Sequence, residues 1–225
     1  MLYRFKNLKD GGIKLAAALR GKIDCSDTVL LALPRGGVPV AFEVAQSLNM
    51  PLDVLLVRKL GLPDHEEYAM GAIALGDVRV MNDEVIEQMN VSEEALERVI
   101  SREQLELSRR NLMYRQGRPP TEVKGKTVVV IDDGLATGAT MMAAVKALRQ
   151  MEAGHIIVAV PVGAASTRLR LEKVADQVIC LHMPEPFYSV GNWYETFSQT
   201  TDKEVLEYLR RANKQVADIE KRRPA

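Results

Sequence analysis

The stretch Val128–Met141, VVVIDDGLATGATM, decides the fold of this 225-residue chain. Four apolar residues end in the carboxylates Asp132 and Asp133, and after Gly134 the run TGAT at 137–140 opens a helix. The first turn of a helix presents unpaired N–H groups that attract anions, and threonine hydroxyls add further donors. Carboxylates beside such a cradle would repel an anion unless they had binding partners of their own. Sugar hydroxyls and Mg²⁺ are suitable partners. The stretch therefore predicts a strand, a turn and a helix that together bind a phosphorylated sugar.

Apolar runs alternate with helical patterns on both sides of this stretch. Strands that are nearly all apolar and separated by helices indicate an α/β fold, with a parallel sheet covered on both faces. Two further runs, Met70–Leu75 and Val78–Met81, flank Gly76-Asp77 and predict a hairpin. The predicted strands are Thr28–Leu33, Leu52–Val57, Thr127–Asp132, Ile156–Val162 and Val178–Leu181, and the helices between them are Val38–Asn49, Gly138–Met151 and Ser166–Ala175.

Two more loops follow predicted strands, at the sheet edge where open α/β sheets bind ligands. After the first strand, Arg35 precedes Gly36 and Gly37, and such glycines let backbone N–H groups approach an anion. The alternative is an ordinary turn with a solvated arginine. After the second strand, residues 58–61 (RKLG) and 63–67 (PDHEE) predict a mobile loop over the site, with an exposed charge pair as the alternative.

Composition excludes several classes of protein. Apolar residues make up 47% and charged residues 27% of the chain, as in globular proteins, and the length predicts one large domain or one domain with an appendage. The formal net charge is zero, so no overall basic field holds nucleic acid or an anionic membrane. No apolar run exceeds five residues, far short of a membrane helix, and no secretory signal pattern is present. We expect a cytoplasmic protein.

Residues 82–118 are charge-rich and interrupt the α/β alternation. Four apolar residues within them fall on one narrow helical stripe, which predicts an inserted helical arm. The stripe needs a partner surface, either the chain's own sheet or a second copy, and the second option leaves a homodimer open. The stripe residues are Leu96, Ile100, Leu107 and Tyr114. The predicted divisions are the first part of the core at 1–81, the arm at 82–118, the remaining core at 119–182, and an irregular region with a final helix at 183–225.

Residues 128–141 resemble the phosphoribosyl pyrophosphate motif of the type I phosphoribosyltransferases. Four other segments extend the resemblance over about Phe5 to Leu206, to a bacterial and archaeal group usually described as predicted phosphoribosyltransferases. These segments are PRGGVPVAFEVA at 34–45, VRKLG at 57–61, EYAMGA at 67–72 and PEPFYSVGNWYETF at 184–197. The resemblance implies a type I phosphoribosyltransferase-like parallel sheet flanked by helices, with the inserted arm and a small C-terminal hood.

The resemblance also implies roles for individual residues. The 5′-phosphate would bind the loop Ala136, Thr137, Gly138, Ala139 and Thr140, beside Gly134. The ribose hydroxyls would bind Asp132 and Asp133, which would also reach Mg²⁺ through ribose or water. Arg35, Gly36 and Gly37 would form a pyrophosphate loop, for which we hypothesise a cis peptide bond at Pro34–Arg35. Arg58 and Lys59, at the start of a flexible loop, and Asp133 would be catalytic. Asn7 and Leu8 stand where the group carries an acidic residue and an arginine.

The predicted hood, Met183–Thr201, holds five of the chain's 11 aromatic residues. Aromatic faces stack on planar bases, so the cluster is a candidate acceptor site. A small hood equally needs aromatic residues for a core of its own, and the sequence leaves both roles open. The acceptor candidates are Phe187, Tyr188, Trp193 and Tyr194.

The resemblance implies a phosphoribosyltransferase of nucleotide metabolism. It would transfer the 5-phosphoribosyl group from phosphoribosyl pyrophosphate to an unidentified nitrogenous base, with Mg²⁺-assisted release of pyrophosphate. Two alternatives use the same fold. One is a non-catalytic regulator that binds phosphoribosyl pyrophosphate, and the other is a hydrolase of a phosphorylated sugar or nucleotide.

Overall fold

The computed structural model describes residues 3–63, 65–76 and 78–220. Its strands are β1 (Thr28–Ala32), β2 (Leu52–Val54), β3 (Val57–Leu62), β4 (His65–Ala74), β5 (Val78–Met81), β6 (Thr127–Ile131), β7 (His155–Val162) and β8 (Gln177–His182). Its α-helices are α1 (Leu8–Leu19), α2 (Gly37–Leu48), α3 (Asp83–Gln88), α4 (Glu93–Arg115), α5 (Ala139–Gln150), α6 (Ala165–Leu171) and α7 (Asp202–Glu220).

Five strands form a parallel sheet in the order β2-β1-β6-β7-β8. All five residues of β1 are buried, and β6 and β7 are buried apart from their first residues, because helices cover both faces. The apolar side chains separate into two core clusters. The predicted α/β fold with a parallel sheet flanked by helices is confirmed. From β1 the chain adds β2 on one side of the sheet, and then adds β6, β7 and β8 on the other side. The point between β1 and β6 is therefore the topological switch point, where such sheets bind ligands.

A second sheet, antiparallel, joins β3, β4 and β5. Here the prediction was wrong: the strand expected at 52–57 ends at Val54, and Arg58–Gly61, expected as a mobile loop, lies in β3. Pairing with β4 explains the difference, since it holds this segment extended, with Leu60 and Leu62 in the core and Arg58 and Lys59 only partly covered. The hairpin expected after residue 70 is confirmed. Asp77 of its turn and Asp64 of the expected lid lie outside the described residues.

The arm consists of α3 and α4 and packs on its own chain. Its stripe residues Ile100, Leu107 and Tyr114 are buried in the larger core cluster. The stripe is therefore covered by the chain itself and does not need a second copy. At the end of α4, Arg115 is buried and its Nη2 lies 3.1 Å from Oδ2 of Asp53 in β2. The arm is therefore fastened to the edge of the main sheet.

Two further elements complete the molecule: helix α1 packs along α2, and the hood contacts the turn after β6. Helix α1, which no sequence pattern indicated, begins after Asn7, whose Oδ1 accepts a hydrogen bond from Asp10 N at 3.0 Å. The hood at 183–201 contains one turn of 3-10 helix at Gly191–Trp193 and pairs with Phe5. Among the described residues, no helix is both long and apolar enough to cross a bilayer.

Candidate active site

Two loops leave β1 and β6 side by side at the switch point, and they are in direct contact. Leu33 N donates to Ile131 O at 2.9 Å. A Cβ atom built on Gly36 would lie 1.9 Å from Asp133 Oδ2, and one built on Gly37 would lie 2.5 Å from Ile131 O. Only glycine permits this approach. The structure therefore brings the predicted pyrophosphate loop and the predicted acid pair together, and the Pro34–Arg35 bond is cis as hypothesised.

The acid pair occupies an unfavourable electrostatic environment. Asp133 N donates to Asp132 Oδ1 at 2.9 Å, so the two residues share one tight turn. Burial raises the pKa of Asp133 to about 6. Burial and the neighbouring Asp133 charge together raise the pKa of Asp132 well above its usual value. Among the described residues neither carboxylate has a cationic partner within ion-pair distance. Hydroxyl donors or a cation would stabilise the ionised pair.

The two carboxylates fit the usual way in which proteins bind Mg²⁺. Mg²⁺ is usually held by one or two carboxylates together with waters and phosphate oxygens, rather than by a cage of protein ligands. Asp132 and Asp133 meet that requirement, and elsewhere in the described part of the chain no group of three or more metal-binding side chains is found. The pair would therefore share the ion with a bound phosphate ester.

The predicted phosphate loop is braced from behind by α6. Thr167 Oγ1 donates to Ala136 O at 2.6 Å, and Arg170 Nη2 donates to Thr137 O at 2.5 Å. Gly138 adopts the left-handed region, with φ 73°, which a side chain disfavours, and α5 begins at the next residue. These bonds occupy loop carbonyl groups, and Ala136, Thr137 and Thr140 around the start of α5 are exposed. A cavity of about 320 Å³ lies against this turn, and Lys146 and Arg170 are among its lining residues.

Arg35 of the predicted pyrophosphate loop and Arg58, predicted to be catalytic, are both engaged by carboxylates. Arg35 Nη1 lies 3.8 Å from Asp202 Oδ1 at the start of α7. Arg58 Nη2 lies 2.6 Å from Glu103 Oε2 on α4, and the Glu103 side chain is only 8% exposed. Arg58 also borders a narrow crevice with Pro34 and Thr140, so it stands beside both site loops. Its catalytic role and that of Lys59 remain predictions.

Replacing Glu103 by alanine will loosen the antiparallel sheet from the arm. Arg58, about one third exposed, would lose its carboxylate partner, and breaking a partly buried pair costs on the order of 2 kcal/mol. We expect a lower free energy of unfolding in urea and faster hydrogen exchange in β3 and β4. Glu97→Ala is the matched control, because its pair with Arg79 links the same two elements but is exposed, with 3.6 Å between Nη1 and Oε1. Equal effects of the two variants would contradict the anchoring role.

The hood aromatics divide into a core and a surface. Trp193 and Tyr194 are buried, and the Tyr194 hydroxyl donates to Asp133 O at 2.6 Å. Phe187 stacks on Trp193 with ring centroids 6.4 Å apart, and Tyr188 is 79% exposed. Trp193 and Tyr194 therefore supply the hood's own core, and the faces available for stacking on a base belong to Phe187 and Tyr188. Sequence reasoning missed the contacts of Glu103, Asp202 and Tyr194, since each joins residues distant along the chain.

Two site loops meet at the switch point of the parallel sheet, and glycines bring one of them against a partly buried acid pair. This arrangement defines the class of α/β proteins that bind ligands at the carboxyl end of a parallel sheet. Within that class the chain belongs to the phosphoribosyl transferase domain family, whose model matches residues 1–191. It is 44% identical over 214 residues to proteins of Mycobacterium tuberculosis strains CDC 1551 and H37Rv, whose names assign them provisionally as phosphoribosyl transferases. These matches cover 95% of this chain and 48% of each relative, so the chain spans about half the length of the curated relatives it matches.

Solved structures agree with this membership. The crystal structure of TT1426 from Thermus thermophilus is 39% identical in sequence, with a TM-score of 0.82, and the match covers 92% of this chain and 97% of that one. A hypoxanthine-guanine phosphoribosyltransferase from Bacillus anthracis is 12% identical, with a TM-score of 0.50 and coverage of 87% and 92%. At that identity the second likeness shows the shared fold alone.

Proposed function

We propose that the protein transfers the 5-phosphoribosyl group from phosphoribosyl pyrophosphate to a nitrogenous base, with Mg²⁺-assisted release of pyrophosphate. The observation that carries the proposal is the partly buried acid pair beside the exposed turn that starts α5. A phosphate cradle alone would serve many esters, but carboxylates with raised pKa values beside it call for hydroxyl donors and a cation. A ribose phosphate ester with a bound Mg²⁺ supplies both.

Each loop of the site has a role in this proposal. The N–H groups of residues 136–140 hold the 5′-phosphate, while Asp132 and Asp133 accept hydrogen bonds from the ribose hydroxyls. Arg35 and the Gly36 N–H group face the pyrophosphate. The acid pair would hold Mg²⁺ through ribose or water, where the ion supplies positive charge next to the departing pyrophosphate.

The reaction is a displacement at the anomeric carbon. A base nitrogen forms the new bond to this carbon while the bond to the pyrophosphate oxygen breaks; pyrophosphate leaves with the electron pair, and the proton of the nitrogen passes to solvent. Such glycosyl transfers pass through a transition state with oxocarbenium character. The protein contributes positioning and electrostatic stabilisation of the leaving group, mainly through the Arg35 loop. The antiparallel sheet beside the site would limit the access of water, which otherwise competes as acceptor.

Calorimetric titration with phosphoribosyl pyrophosphate, with and without Mg²⁺, tests the ligand. We expect micromolar binding that depends on the metal, because the acid pair needs a cation to approach a polyanion. No binding under either condition would contradict the proposal. Pyrophosphate release across a panel of purine and pyrimidine bases then tests the reaction. Binding without turnover would indicate a non-catalytic regulator. Release of pyrophosphate that does not depend on which base is present, together with free ribose phosphate, would indicate a hydrolase.

A further inference from the structure

The Tyr194 hydroxyl reaches the backbone of the acid pair from inside the hood. It donates to Asp133 O at 2.6 Å, and the tyrosine side chain is buried. The bond joins residues 61 positions apart. A buried carbonyl group has a strong preference for such a donor, because leaving it unpaired costs its full desolvation free energy. The bond therefore restrains the peptide plane between Asp133 and Gly134.

The hood holds Tyr194 in place through the N-terminal segment. Phe5 N donates to Trp193 O at 2.8 Å, and Glu195 N donates to Phe5 O at 2.8 Å, so the chain on either side of Tyr194 is paired with one residue. The Phe5 and Tyr194 rings also pack with centroids 5.6 Å apart. The phenol thus has a defined position that does not depend on the acid turn itself.

The hood makes a second contact with the same turn, at the residue that follows Asp133. A Cβ built on Gly134 would lie 2.7 Å from Val190 Cγ1 and 3.0 Å from Val162 O, so Val190 packs directly on the Gly134 backbone. Tyr194 acts on the carbonyl of Asp133 and Val190 on the next residue. Two independent contacts from one element fix the turn that carries both carboxylates.

We propose that Tyr194 is a positioning residue that orients the Asp132–Asp133 carboxylates toward the ribose hydroxyls through the backbone carbonyl of Asp133. This inference rests on the proposed function and names a task for Tyr194 other than stacking on the acceptor base. Its consequence is selective: Tyr194 affects recognition of the sugar, while the phosphate loop at 136–140 is braced separately by Thr167 and Arg170.

The experiment compares two probes, ribose 5-phosphate and inorganic phosphate, by calorimetry with Mg²⁺ on the full chain. Ribose 5-phosphate uses both the acid pair and the phosphate loop, whereas inorganic phosphate uses the loop alone. In Tyr194→Phe we expect the Kd of ribose 5-phosphate to rise about 10-fold, which corresponds to about 1.4 kcal/mol for the loss of one buried hydrogen bond. We expect the Kd of inorganic phosphate to stay within about 2-fold of its unaltered value. Tyr208→Phe is the matched control, since it removes a half-buried phenol hydroxyl from α7, where the ring packs on Phe42.

A merely structural role for Tyr194 would weaken both probes equally, and that result would overturn the proposal. Val190→Ala tests the same turn through the second contact and serves if the tyrosine variant does not fold; we expect a selective rise of about 3-fold in the Kd of ribose 5-phosphate. If the unaltered protein prefers ribose 5-phosphate and both variants keep that preference, the positioning role alone fails. If the unaltered protein shows no preference for the sugar phosphate, the proposed function fails and the positioning role with it.

Discussion

Asp133→Asn will weaken the binding of Mg²⁺-phosphoribosyl pyrophosphate and at the same time make the ligand-free protein more stable. The loss of affinity follows from removing one charged acceptor of ribose hydroxyls, which contributes about 1.5 to 3 kcal/mol, or between about 10- and 150-fold in Kd. The gain in stability follows from removing a partly buried charge whose neighbour is also acidic. Calorimetric titration measures the first effect and urea denaturation the second.

The pH dependence of stability has a defined sign. Burial raises the pKa of Asp133 from 3.8 to about 6 in the folded state. Its contribution to stability is therefore fully present below about pH 4 and is lost as the pH rises through about 6, because the unfolded chain ionises more readily. A shift of this size corresponds to roughly 3 kcal/mol. We expect the free energy of unfolding of the unaltered protein to fall over this interval, and the fall to be smaller in Asp133→Asn.

Asp176→Asn is a control of opposite sign. Partial burial acts to raise the Asp176 pKa, but hydrogen bonds from Ile156 N at 2.6 Å and from Arg149 outweigh it, and the pKa is lowered. This carboxylate stabilises the fold once ionised, so its replacement should lower stability near pH 7. If Asp133→Asn also lowered the stability of the ligand-free protein, the electrostatic account of the acid pair would be wrong.

Gly37→Ala will unfold the junction between β1 and β6 and abolish ligand binding. The added Cβ would lie 2.5 Å from Ile131 O and 2.8 Å from Asp132 Cα. Both are backbone atoms at the end of a central strand, so neither can move without displacing the acid pair. We expect a loss of about 3 kcal/mol in the free energy of unfolding, the upper end of the usual range for an overpacked site.

Gly191→Ala provides the comparison for this clash. Its Cβ would meet Phe197 Cδ1 at 3.0 Å, and this partly exposed side chain can rotate away. We expect a change within about 1 kcal/mol. Thermal denaturation and titration with phosphoribosyl pyrophosphate measure both variants. A Gly37→Ala protein with normal stability and binding would show that the two site loops are not in the contact described here.

Local sequence patterns predicted much of the candidate site. The acid turn, the Arg35 loop and the helix start at Ala139 each occupy a few consecutive residues, and apolar strand patterns with intervening helices are enough to place them at one sheet edge. The same reasoning failed for Arg58 and Lys59. Charged residues after an apolar run suggest a loop, and their place in a strand depends on β4, which follows in the chain and pairs with them.

The sequence by itself determined the parallel α/β sheet and the positions of the two site loops after β1 and β6, because strand burial and turn chemistry depend on neighbouring residues. Only the tertiary structure decided which side chains hold those residues. Arg58 binds Glu103 across 45 positions, and Tyr194 binds the Asp133 carbonyl across 61. Such contacts depend on the relative placement of the arm, the hood and the sheet, which no local pattern encodes.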